Sequence, residues 1–121
     1  MTPSPEKNKK PFELIGKEIF INTGSTPILP AIDGLKNNRY VHTSETLLHA
    51  DILPRHLLII GSGAIGLEFA TMYAGFGSKV TILEAGKRFL PKADREIAEY
   101  MQENLKRKNI EVRLNARVQS L

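Results

Sequence analysis

The chain has 121 residues, of which 41% are hydrophobic and 25% charged, a composition typical of one globular domain or part of one. It contains no cysteine, which excludes disulfides, cysteine-ligated metals and thiol chemistry within this chain. The formal net charge of +4 fits either a solvated surface or a phosphate-rich partner, but no aromatic residues alternate with the cations as a nucleic-acid platform requires.

The N-terminal residues 1–11 are rich in proline, lysine and asparagine, and we expect them to form a disordered tail. They lack the apolar core of a signal peptide, and no apolar run reaches the roughly 18 residues of a membrane span. The expected location is therefore the cytoplasm, without a membrane partner. The histidines His42, His49 and His56 match no zinc-binding spacing, so no metal site is predicted.

Residues 12–54 show three local patterns. Residues 17–22 include Ile-Phe-Ile and predict a strand, and residues 23–27 then form a turn that contains glycine and proline. An extended connection follows. Thr43 or Ser44 is expected to cap a short helix that ends before Pro54.

Strand and helix patterns alternate over residues 55–121. Strands are predicted over 57–60, 79–84 and 110–114, and helices over 64–75 and 94–108. Asp94 is a natural N-cap, while Gly77 and Asn109 are suited to end the two helices. This order predicts an α/β fold, namely a Rossmann-like parallel sheet of βαβαβ units with helices on its faces, incomplete at the C-terminus.

The spacing of apolar residues predicts the buried face of each of these two helices. That face is expected to carry Ile65, Phe69, Met72 and Phe76 in the first helix, and Ile97, Met101 and Leu105 in the second.

The most informative pattern is the G-x-G-x-x-G of residues 61–66, which follows an apolar strand and opens a helix. Gly61 would allow a sharp turn, Gly63 would let a pyrophosphate approach the backbone, and Gly66 would let the helix pack closely on the sheet. The N–H groups near Ala64 and Ile65 would face the phosphates. The cofactor-binding segment is thus predicted to be the whole run, including Ser62. The alternative is a tight strand-to-helix turn without a ligand.

An acidic residue, Glu84, ends the next strand and follows the first glycine by 23 positions, close to the roughly twenty expected for a ribose-binding acid. Its carboxylate would accept the ribose hydroxyls and repel a 2′-phosphate, which favours NAD over NADP. Two alternatives remain. Glu84 can instead be a surface acid, and Lys87 or Arg88 can fold back to pair with a 2′-phosphate. Glu68 is either a charge favoured by the helix N-terminus or a polar group near the reactive end of the cofactor.

Several motifs, in order, resemble flavin-dependent pyridine nucleotide–disulfide oxidoreductases, the family of dihydrolipoamide dehydrogenase, glutathione reductase and mercuric reductase. Residues 19–27 resemble that family's second flavin-domain motif, which contains T-G-x-x-P at Thr23 and Gly24. Residues 44–48 resemble its short helix before the nucleotide domain, and residues 61–68 match its G-x-G-x-x-G-x-E. Residues 76–84 and 89–91 look closest to the mercuric-reductase-like branch, which includes bacterial reductases of hypothiocyanous acid.

This resemblance implies that NAD(P)H passes hydride to FAD, and that FAD reduces a cysteine pair. It would assign residues 12–54 to the end of the flavin domain with a linker and short helix, and residues 55–121 to a truncated NAD(P)-binding domain. Glu68 would lie where nicotinamide meets flavin, and Thr23 and Gly24 on the flavin side. Some relatives have a gating tyrosine at the position of Ala64.

The chain lacks the family's first flavin motif, its C-x-x-x-x-C pair and its dimerisation domain. We therefore expect a domain fragment without catalytic residues, which would work with the flavin and dimerisation domains of a parent enzyme. One alternative is a free-standing NAD(H)-sensing module. Another is a remnant that self-associates through exposed sheet edges.

Overall fold

The structure, a computed structural model, describes residues 13–121, so the predicted disordered tail lies outside the described residues. In chain order the elements are helix α1 (Ser44–Leu47), strand β1 (His56–Ile60), helix α2 (Ala64–Gly75), strand β2 (Lys79–Leu83), helix α3 (Arg95–Arg107) and strand β3 (Ile110–Arg113). The helix and strand bounds from residue 55 onwards agree with the sequence prediction to within one or two residues.

The three strands form one parallel sheet in the order β1-β2-β3, which confirms the α/β, Rossmann-like prediction. Leu57 pairs in register with Val80, which pairs with Ile110. Val80 and Ile110 belong to the same core cluster as buried residues of both α2 and α3, and Leu57 packs against this cluster. Both crossover helices therefore cover one face of the sheet, as right-handed connections between consecutive parallel strands require. On the opposite face Leu58 and Ile60 are 45% exposed.

The helix ends follow the predicted capping residues. Thr43 forms a capping box with Thr46, and the Asp94 carboxylate accepts from the Glu96 N–H at 2.9 Å. Gly77 and Asn109 both adopt left-handed backbone conformations just beyond α2 and α3, with φ of 94° and 57°. These local signals fix the helix bounds because each satisfies backbone groups that a helix end leaves unpaired.

The predicted buried faces of the two helices are partly wrong. Helix α2 buries Leu67, Ala70 and Tyr73, whereas Ile65, Met72 and Phe76 are exposed and Phe69 is partly buried. Apolar residues lie all around α2, so spacing alone does not single out one side, and the contact with the sheet decides. In α3, Leu105 is buried and Met101 packs against the core as predicted, but Ala98 is buried in place of Ile97.

The predicted strand over residues 17–22 is wrong for this structure. These residues form no ladder, and Ile19, Phe20 and Ile21 are each at least 74% exposed. A β-branched and aromatic composition favours a strand only where a neighbouring strand supplies hydrogen bonds. Within residues 13–121 no strand pairs with this segment.

None of the helices described between residues 13 and 121 is long and apolar enough to cross a membrane. In the same part of the chain, no three His, Asp or Glu side chains are grouped as metal ligands. His56 lies within 2.9 Å of the Thr81 hydroxyl through its Nε2 atom, so its ring has a hydrogen-bond partner.

Candidate functional site

The glycine turn begins where β1 ends. Gly61 has φ +100°, a left-handed conformation that side chains rarely adopt. Its N–H donates to the Leu83 carbonyl at 2.8 Å and so extends the β1–β2 ladder by one residue. Because Leu83 immediately precedes Glu84, this bond brings the glycine turn and the acidic residue to the same edge of the sheet.

The N-terminus of α2 is open. Gly63 is the N-cap in an extended conformation, it offers no side-chain cap, and the first helical N–H to bond its carbonyl is that of Leu67, at 3.1 Å. A Cβ atom built on Gly63 would meet nothing within 4 Å. Ala64 and Ile65 are exposed in the first turn. Uncapped N–H groups and the positive end of the helix dipole favour an anion here.

Gly66 lies where α2 meets the sheet. A Cβ atom there would stand 2.9 Å from the Gly61 carbonyl oxygen and 3.2 Å from Cγ2 of Ile59. Only glycine allows the helix to approach the turn this closely. The third glycine therefore sets the distance between helix and sheet.

The Glu84 carboxylate binds the glycine turn directly. Its Oε2 atom accepts from the Ser62 N–H at 3.0 Å and from the Ser62 hydroxyl at 2.6 Å, while Oε1 accepts from the Gly86 N–H at 2.7 Å. These bonds to Ser62 and Gly86 lower the pKa of the Glu84 carboxyl, because they favour its charged form, and burial opposes them only in part. The structure thus presents a fixed anion beside the open helix N-terminus.

Backbone bonds hold this acid from the other side. The Glu84 N–H donates to the Arg113 carbonyl at 2.8 Å, and the Glu84 carbonyl accepts from the Ala116 N–H at 2.9 Å. The Gly86 carbonyl accepts from the Asn115 N–H at 3.0 Å. The end of β2 is therefore clamped between the glycine turn and the segment that follows β3.

The two cations considered for a 2′-phosphate lie outside this arrangement. Lys87 and Arg88 are exposed and line a surface cleft together with Arg95 and Glu99 of α3. Among residues 13–121 neither forms an ion pair with Glu84. The backbone that follows Glu84 thus carries them toward α3.

The remaining predicted residues are not brought into this cluster. Glu68 is exposed on α2 and forms no ion pair with the residues described at 13–121. Thr23 and Gly24 are exposed in the extended N-terminal segment, and no hydrogen bond within the described residues ties them to the glycine turn. Gly24 has φ +82°, so its backbone requires glycine for conformation.

Sequence reasoning missed the part that the Ser62 side chain plays. The motif covers Ser62 only as one of its variable positions, whereas the structure buries the residue to 1% exposure and turns its hydroxyl toward Glu84. A small hydroxyl residue between the glycines, together with an acid at the end of the next strand, was the available signal. The contribution of Gly86 had no signal in the spacing.

The chain is similar over most of its length to known oxidoreductases. The family model described as pyridine nucleotide-disulphide oxidoreductase matches residues 3–121. The chain is 46% identical over 117 residues to the probable pyridine nucleotide-disulfide oxidoreductase RclA of Escherichia coli K12. The aligned segment covers 97% of this chain and 26% of that protein. It is 41% identical over 106 residues to dihydrolipoyl dehydrogenase of Bacillus subtilis, and this alignment covers 87% of this chain and 22% of that protein.

Solved structures of related proteins share this fold. The HOCl-induced flavoprotein disulfide reductase RclA from Escherichia coli superposes with a TM-score of 0.78 over 82% of this chain and 23% of its own. The NADH-bound water-forming NADH oxidase from Lactobacillus brevis gives a TM-score of 0.66 at 29% identity, over 80% of this chain and 23% of its own.

The fold and the glycine turn define a Rossmann-type α/β unit of the kind found in flavoprotein reductases. The chain belongs to the pyridine nucleotide–disulfide oxidoreductase family, since that family's model matches nearly all of it. It spans about a quarter of the length of the curated relatives that it matches.

Proposed function

We propose that this chain is the nicotinamide-dinucleotide-binding segment of an FAD-dependent pyridine nucleotide–disulfide oxidoreductase, with a preference for NAD(H) over NADP(H). The observation that carries the proposal is the juxtaposition of an open helix N-terminus at Gly63 with the carboxylate of Glu84. The Ser62 N–H links the two at 3.0 Å.

The fit to a dinucleotide rests on what a Cβ atom would meet at each glycine. The space beside Gly63 is open, which suits a pyrophosphate that approaches the backbone, whereas the space beside Gly66 is already occupied by the backbone of the glycine turn. Gly61, Ala64 and Ile65 complete the proposed phosphate-binding segment. The NADH-bound oxidase, at 29% identity, supports the same ligand class for this chain.

The preference for NAD(H) follows from charge. A carboxylate at the end of β2 suits an uncharged ribose hydroxyl and repels a phosphate on the ribose. A glutamate is ionised at physiological pH, and the hydrogen bonds from Ser62 and Gly86 lower the pKa of Glu84 further in the same direction. Lys87 and Arg88, which would favour the phosphate, extend toward α3 instead.

In a full-length parent, residues 55–121 would hold the dinucleotide, and residues 12–54 would connect this unit to the flavin domain. Bound FAD would supply the electron transfer from nicotinamide to a disulfide. The exposed Glu68 would contact the nicotinamide–flavin junction, and Thr23 and Gly24 would belong to the flavin side. Since the chain has no cysteine, a redox pair must come from another part of the parent, and the chain alone would not turn over.

The test is calorimetric titration of the 121-residue chain with NADH, NADPH and FAD. We expect saturable binding of NADH, weaker binding of NADPH and none of FAD. Binding of FAD without NADH, or of no nucleotide by a folded chain, would contradict the proposal.

A matched pair of variants assigns the binding to the glycine turn. Gly63→Ala and Gly75→Ala add the same methyl group at opposite ends of α2, and in both places it meets nothing within 4 Å. We expect Gly63→Ala to weaken NADH binding by about tenfold or more, because the methyl group occupies the path of the pyrophosphate. Gly75→Ala should bind as the unaltered chain does.

A further inference from the structure

We infer that Ser62 is a positioning residue: its side chain occupies one oxygen of Glu84, orients the carboxylate and thereby sets the preference for NAD(H) over NADP(H). This inference rests on the proposed function, because it concerns how the ribose of the same ligand is recognised. It gives the serine between the glycines a part distinct from phosphate binding, since its hydroxyl is directed into the protein.

The hydrogen bonds at Glu84 leave room for one more donor. An ionised carboxylate has about four acceptor positions, two on each oxygen. Ser62 fills both positions on Oε2, through its N–H at 3.0 Å and its hydroxyl at 2.6 Å. The Gly86 N–H fills one position on Oε1 at 2.7 Å. One position therefore remains, on Oε1, and Glu84 can accept a single ribose hydroxyl without losing an existing bond.

The Ser62 side chain is held in place by its surroundings. Ser62 is 1% exposed, and its hydroxyl oxygen also accepts a long bond of 3.4 Å from the Leu90 N–H. Leu90 has φ +46°, an uncommon conformation for leucine. The hydroxyl thus donates to Glu84 and accepts from the loop after β2, which leaves it little freedom to turn toward a ligand.

Among the residues described at 13–121, no cation pairs with the Glu84 carboxylate. The Glu84 carboxyl is held in its charged form by neutral donors, namely the Ser62 hydroxyl and the N–H groups of Ser62 and Gly86. Lys87 and Arg88, the cations nearest in the chain, are exposed, and within residues 13–121 neither forms an ion pair with the carboxylate. The backbone of Arg113 is hydrogen bonded to the backbone of Glu84, but the Arg113 guanidinium pairs with Glu111. Its negative charge therefore stays available to repel a 2′-phosphate.

The experiment compares Ser62→Ala with Ser78→Ala. Ser78 is also a buried serine whose hydroxyl makes a bond of 2.6 Å, but its acceptor is the Pro54 carbonyl at the opposite edge of the sheet. NAD⁺ and NADP⁺ serve as probes. The ratio of their dissociation constants is measured for each variant, since a change in the folded fraction affects both ligands equally and cancels.

We expect Ser62→Ala to reduce this preference by about tenfold, the scale of one hydrogen bond to a charged group. Carbon-13 NMR titration of the glutamate carboxyls in the ligand-free chain should show the Glu84 midpoint rising toward the ordinary glutamate range. Ser78→Ala should change neither quantity. A purely structural role for Ser62 would lower stability without moving the ratio.

Ser62→Gly provides a second deletion that also only removes atoms. Binding of NAD⁺ with an unchanged ratio in both Ser62 variants would overturn the inference and leave the proposed function standing. Failure of the unaltered chain to bind NAD⁺ would overturn both. If neither Ser62 variant folds, the contact serves the fold rather than the ribose, and the inference is wrong.

Discussion

Replacement of Gly66 by alanine tests the close approach of α2 to the glycine turn. The added Cβ atom would lie 2.9 Å from the Gly61 carbonyl oxygen, and this neighbour is backbone that cannot rotate away. Overpacking of this kind costs about 1–3 kcal/mol. Alanine is a better helix former than glycine by about 1 kcal/mol, which offsets part of that cost. We therefore expect a net loss of about 1 kcal/mol in the free energy of unfolding.

Gly75→Ala is the control, because it makes the same exchange in the same helix where a Cβ atom meets nothing within 4 Å. There only the gain in helix propensity applies, and the variant should equal or exceed the unaltered chain by up to about 1 kcal/mol. Urea denaturation followed by far-UV circular dichroism gives both values, provided that the m-values agree. If Gly66→Ala proves as stable as Gly75→Ala, the glycine at the helix–sheet contact is not a steric requirement.

Three further results are expected. Since folding lowers the pKa of Glu84, its charge stabilises the fold at pH values above the ordinary glutamate pKa, and this stabilisation is lost as pH falls through the lowered pKa. Glu84→Gln should therefore melt at a lower temperature than the unaltered chain at neutral pH, and the difference in melting temperature should close on acidification. Asp94→Ala removes the acceptor of the Glu96 N–H and should cost about 1 kcal/mol by urea denaturation, whereas Asp94→Ser should retain most of the stability. Tyr73→Phe removes the hydrogen bond of 3.3 Å from the Tyr73 hydroxyl to the Leu47 carbonyl. We expect a loss of about 0.5–1.5 kcal/mol in the free energy of unfolding and faster amide exchange in α1. Unchanged exchange there would show that this bond does not hold the helix.

Local sequence signals were sufficient for the elements around the site. The alternation of apolar strands with capped helices predicts three parallel strands and their crossovers, because each signal depends only on a few neighbouring residues. Asp94, Gly77 and Asn109 all lie at the helix ends that they indicate. The glycine spacing also anticipates the turn at Gly61, where the backbone conformation requires glycine.

Other features depend on contacts between distant parts of the chain. The buried side of α2 is set by the sheet, since apolar residues surround this helix and its own periodicity selects no face. The strand composition of residues 17–22 produces no strand, because hydrogen bonds from a neighbouring strand are needed.

The candidate site likewise depends partly on local sequence signals and partly on contacts between distant residues. The sequence by itself determined that a glycine turn and an acid stand at the ends of consecutive strands, since parallel register brings such ends to one edge. Only the tertiary structure decided how the acid is held. The carboxylate binds Ser62, on the loop after β1, and these bonds depend on the three-dimensional meeting of two loops. The third bond, from the Gly86 N–H, is local to the loop after β2.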